Sequence, residues 1–120
     1  MTHQTRSFRS MNHPRGTRGP LLAAVQTALP GLAPVASEWS GNPRDFYDRP
    51  VKLRGTISGV RVDVMLGREA CMDAGAPDPE VEDFGTPSVT LSGDDTRAME
   101  ALWSQLTTAL AAAGYADVTP

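Results

Sequence analysis

This chain holds one cysteine, one lysine and two histidines in 120 residues, and each scarcity removes a class of chemistry. A lone Cys71 cannot close an internal disulfide or anchor a cysteine-rich zinc site. Its neighbours Glu69 and Asp73 are acids, which raise a thiol's pKa, so Cys71 reads as a small apolar residue and not as a nucleophile. His3 and His13 both precede the first apolar stretch, which leaves the expected core without an imidazole base. Neither a Ser–His–Asp nor a Cys–His arrangement then has the member that moves the proton. Gly16, Gly19 and Gly31 show neither dinucleotide-binding nor P-loop spacing, so no phosphate cradle is expected. No run approaches the ~18 apolar residues of a membrane span.

What is present suits one small globular domain. Hydrophobic residues make up 40% and charged residues 21%, ordinary values for a chain that folds around a core. The formal charge of −3 hides a polarised sequence. Residues 1–37 carry Arg6, Arg9, Arg15 and Arg18 and no acid; residues 38–68 carry six basic and four acidic side chains; residues 69–120 set Arg97 against ten acids. A basic beginning and an acidic end make a dipolar chain. Arginine and alanine dominate over lysine and isoleucine (only Lys52 and Ile57), the bias of a GC-rich bacterial or phage genome. The run Leu21–Leu29 is interrupted by Gln26 and Thr27 and stopped by Pro30, which disfavours a secretory leader and makes a cytoplasmic location the expectation.

The hydrophobic pattern predicts an α+β fold in the order helix, strand, strand, strand, helix, with a three-stranded antiparallel sheet packed on one face by helices. Residues 1–18 show no apolar period and read as a flexible basic arm, leaving 19–116 as the domain. Gly19-Pro20 opens a first helix, with Leu22, Val25 and Leu29 on one stripe and Pro30-Gly31 as its stop. Asn42-Pro43-Arg44-Asp45 has the order of a further helical turn. Val51–Ile57 and Val60–Leu66 alternate apolar with polar around Ser58-Gly59, the pattern of a β-hairpin with one wet face bearing Lys52, Arg54, Arg61 and Asp63. Residues 67–87 form an acidic, proline-broken loop without the ligand spacing of an EF-hand. Ser88-Val89-Thr90-Leu91 reads as the third strand. Met99, Leu102, Trp103, Leu106 and Leu110 form the stripe of a last helix, with Asp94-Asp95 at its mouth and Gly114 at its end.

The predicted order resembles that of double-stranded-RNA-binding domains. Those domains gather lysines at the start of the second helix, where this chain reads Asp94-Asp95-Thr96-Arg97, so the resemblance ends at topology.

The expectation is therefore a small non-enzymatic accessory or regulatory protein, with no cofactor and no metal, that binds a protein partner. Trp39, Arg44, Tyr47 and Arg49 mix aromatic and guanidinium groups within eleven residues, the chemistry enriched at interface hot spots, and are the expected partner-binding set. The alternative is nucleic-acid binding through Arg6, Arg9, Arg15, Arg18, Lys52, Arg54 and Arg61.

Overall fold

Successive side chains of a strand point to opposite faces, so a run that alternates valine with charge sorts itself between core and water. Val60, Val62, Val64 and Leu66 are buried, while Arg61 is exposed and Asp63 is half-buried. In the computed structural model, which describes residues 1–11, 19–35, 49–69 and 87–119 (49–51 and 67–69 by backbone alone), this segment is strand β4, Val60–Glu69. It pairs antiparallel with β3, Arg49–Ile57, through the expected hairpin. Ser58 and Gly59 both adopt positive φ, 53° and 77°. A turn with two left-handed residues matches the twist of the flanking strands. A bulge between Val51 and Lys52 shifts the register once.

The remaining elements are β1 (Thr2–Ser10), α1 (Gly19–Ala28), β2 (Ala33–Pro34), β5 (Ser88–Gly93), α2 (Thr96–Ala112) and β6 (Tyr115–Asp117). The strand order is β2-β3-β4-β5-β1-β6, and every neighbouring pair is antiparallel. The α+β class and the antiparallel sheet agree with the sequence reading, but the sheet has six strands among the described residues instead of three.

Residues 2–10, read from sequence as part of a flexible arm, form β1 and fill a slot between β5 and β6. The physical reason is that β1 needs little apolar area of its own. Phe8 alone supplies a fully buried apolar side chain, and the strand is otherwise held by backbone pairing and polar contacts. Strands β2 and β6 span two and three residues, too short to show any period. The predicted turn near Asn42 and residues 70–86 of the predicted acidic loop lie outside the described residues, whereas residues 67–69 continue β4.

Both described helices pack on one face of the sheet. Leu21, Leu22 and Val25 of α1 meet Met99, Leu102, Trp103, Leu106 and Leu110 of α2 in one buried cluster with Phe8, Leu53, Leu91 and Tyr115. Asp95 caps α2, accepting hydrogen bonds from the backbone amides of Arg97 (3.1 Å) and Ala98 (3.2 Å). Two of the helix's otherwise unpaired amides are thereby satisfied. Gly114, at φ 89°, takes the left-handed conformation just beyond the helix end, as its position in the sequence predicts.

Candidate functional site: the open face of the sheet

Pairing register fixes which side chains share the face turned away from the helices. Leu91 lies beside Gln4 and Val62, and Val89 beside Arg6 and Val64, on the helix side. By alternation the opposite face carries Lys52, Arg54 and Thr56 from β3, and Arg61, Asp63 and Met65 from β4. It continues through Ser88, Thr90 and Ser92 of β5 to His3, Thr5, Ser7 and Arg9 of β1. No described helix covers this face.

Two kinds of interaction organise it. Asp63 accepts from the guanidinium of Arg54, its cross-strand neighbour, and from Arg61 Nε at 3.2 Å. One carboxylate thus holds two arginines, and their geometry is set by strand pairing. Both arginines are about half exposed, so these pairs orient side chains more than they stabilise the fold. Across the middle, polar side chains pair between strands: the Thr5 hydroxyl with that of Thr90 at 2.9 Å, and His3 Nδ1 with Ser92 Oγ at 2.7 Å. Lys52 and Arg9 have no ion-pair partner among the described residues. Among the described side chains, four cations therefore share the face with one anion, Asp63, although the whole chain is acidic.

Arg6, expected alongside these cations, points the other way. Its guanidinium stacks over the Trp103 ring, 4.6 Å from the centroid, and lies 3.6 Å from Asp117. Trp103 Nε1 donates to Gln4 Oε1 at 2.7 Å, so the polar side chains of β1 on the helix side serve as partners for α2. For Asp117 burial acts to raise the pKa, but hydrogen bonds from the Thr119 hydroxyl and amide, together with Arg6, outweigh it and hold the carboxyl below its usual 3.8.

The sequence-predicted sets therefore divide. Lys52, Arg54, Arg61 and Arg9 are brought together on one face; Arg6 is not. Arg15 and Arg18 lie outside the described residues, as do Trp39, Arg44 and Tyr47; Arg49 begins β3, and its side chain is also outside them. The hydroxyl rows of Thr5, Ser88, Thr90 and Ser92 were missed by the sequence reading. The available signal was the Thr-His-Gln-Thr opening, rich in residues that suit strands when a second strand lies alongside. Among the described residues no group of three or more His, Cys, Asp or Glu side chains is placed to hold a metal, and no helix is long and apolar enough to cross a membrane. Set against known proteins, the chain matches no family model, no curated sequence and no solved structure.

Proposed function

We propose that this protein is a non-enzymatic binding module that recognises the acidic surface of a protein partner through the open face of its sheet. The observation that carries the reading is the placement of Lys52, Arg54, Arg61 and Arg9 on one face that no described helix covers, around the cross-strand pairs Thr5–Thr90 and His3–Ser92. Backbone pairing holds such a face in shape, so a partner meets donors already positioned, which lowers the ordering cost of association. Complementary charge sets the approach and the register, and the hydroxyls supply directional hydrogen bonds at the centre. The sequence between β2 and β3 adds Trp39, Arg44 and Tyr47, residue types that anchor interfaces.

A second reading, nucleic-acid binding, is favoured by the same four cations, because each phosphate contact releases counterions. Two observations rank it lower. Arg54 and Arg61 already share Asp63, and the described part of the face carries no Phe, Tyr or Trp ring, only the imidazole of His3, on which an exposed base would stack.

The test is capture from a lysate of the source cells, with the full chain as bait beside a Lys52→Glu/Arg9→Glu variant. Neither side chain has an ion-pair partner to lose among the described residues, so the variant is expected to keep its fold, checked by circular dichroism. One protein retained by the natural chain and lost with the variant supports the reading. Retention unaffected by the variant, or retention abolished by nuclease, overturns it.

A further inference from the structure

On the helix side of the sheet, a cleft of about 550 Å³ opens between β1 and α2. Gln4 and Arg6 line it from the strand, and Glu100, Ser104 and Thr108 line it from the helix. Trp103, itself buried, fixes the strand wall. Its indole N–H donates to Gln4 Oε1 at 2.7 Å, so the amide of Gln4 is oriented and its NH2 group has no acceptor among the described residues. The Trp103 ring carries the Arg6 guanidinium 4.6 Å from its centroid. The Arg6 side chain is 39% exposed, and Asp117, at 3.6 Å, offsets part of its charge from outside the cleft without taking a hydrogen bond. The guanidinium is therefore held in place with its donors free of any described acceptor.

The helix wall carries the opposite charge. Glu100 lies three residues before Trp103, one turn away on the same side of α2, and is exposed. Among the described residues no cation lies within ion-pair distance of its carboxylate, Arg6 included. One cleft thus holds a guanidinium and a carboxylate that do not reach each other.

We propose that this cleft binds a free α-amino acid with a polar side chain. The carboxylate of the ligand takes the donors of Arg6 and Gln4, and its ammonium group takes the carboxylate of Glu100. Hydrogen bonds between ionised groups are about twice as strong as neutral ones, and a guanidinium offers a carboxylate two parallel donors. Stacking on Trp103 places those donors before the ligand arrives, which lowers the ordering cost of binding. A lone anion or a lone cation satisfies one wall only, so the zwitterion is selected over either half. Beyond the charges, the walls present the exposed residues Ser104 and Thr108, while Trp103 is only 3% exposed. With no apolar platform for a large aliphatic group, serine and glutamine suit this lining better than leucine. The cleft lies across the sheet from the open face, so its occupancy is independent of the partner-binding reading.

The experiment is an NMR titration of the full chain with L-serine, L-glutamine and L-leucine, each to about 20 mM, beside acetate and methylammonium. The signals followed are the Gln4 side-chain amide, Arg6 Nε–H and the Trp103 indole N–H. Serine or glutamine is expected to shift all three with millimolar affinity, and acetate and methylammonium to bind about tenfold more weakly. Arg6→Gln and Glu100→Gln are each expected to weaken binding about tenfold. Glu100 is exposed and has no described ion-pair partner to lose, so Glu100→Gln keeps its fold and stands as the test where loss of Arg6 disturbs β1. Signals unmoved by both serine and glutamine overturn the proposal. So does acetate or leucine binding as tightly as serine, or an affinity that Glu100→Gln leaves unchanged.

Discussion

Gly55 offers the sharpest prediction about how the fold is held. It lies in β3 on the helix side, opposite Val62, where the chain leaving α1 crosses the strand. A Cβ at this position would stand 2.7 Å from the Gly31 carbonyl oxygen and 3.0 Å from Leu32 Cδ2. The leucine can turn, but the carbonyl is backbone, anchored by the hydrogen bond from the Leu32 amide to Leu29 and by the pairing of Ala33 with Arg54. Replacing glycine inside a strand with alanine gains about 0.5–1 kcal/mol through the unfolded chain. Forcing a methyl group into a closed contact costs about 1–3 kcal/mol. The clash prevails, and Gly55→Ala is expected to lose about 1–2 kcal/mol net. Gly93→Ala is the control, since its Cβ would meet nothing nearer than Val60 Cγ2 at 3.5 Å, an ordinary contact, and it is expected to be neutral or stabilising. Urea denaturation reads both, with the slope unchanged and the midpoint of Gly55→Ala lowered. A Gly55→Ala protein as stable as the natural one would refute the close approach of the α1–β2 connection to β3.

Three further expectations follow from the polar contacts. Trp103→Phe removes the hydrogen bond to Gln4 and weakens the stacking of Arg6, and is expected to cost about 1–2 kcal/mol in thermal or urea unfolding. Asp95→Ala uncaps α2 and is expected to cost about 1 kcal/mol, with Asp95→Asn recovering most of it. Asp117 has a folded-state pKa below 3.8, so its contribution is present above that pH and is lost as the pH falls through the folded value. Asp117→Asn is therefore expected to be less stable than the natural chain near neutrality, and the two stability curves should converge as the pH falls below about 3.8.

The sequence made the hairpin legible because Val60, Val62, Val64 and Leu66 bury one face while Arg61 and Asp63 wet the other. The α2 stripe and the ends at Asp95 and Gly114 were legible for a similar reason, local geometry written in residue type. Strand β1 was hidden because its helix-side residues include Gln4 and Arg6, polar side chains that serve the indole N–H and ring face of Trp103, nearly one hundred residues away. No local period records a contact of that kind. Much of the candidate site was hidden with it: the cations of β3 and β4 were visible as one face of a hairpin, but only the insertion of β1 beside β5 sets Thr5 against Thr90 and extends that face to Arg9.

The central claim is that this open face is the working surface. It is tested most directly by amide exchange on the full chain, alone and with the protein it retains from a lysate. The account predicts slowed exchange on β3, β4 and β5, with Lys52→Glu/Arg9→Glu abolishing it. Protection confined to α1 and α2, with the sheet amides unchanged, would contradict it.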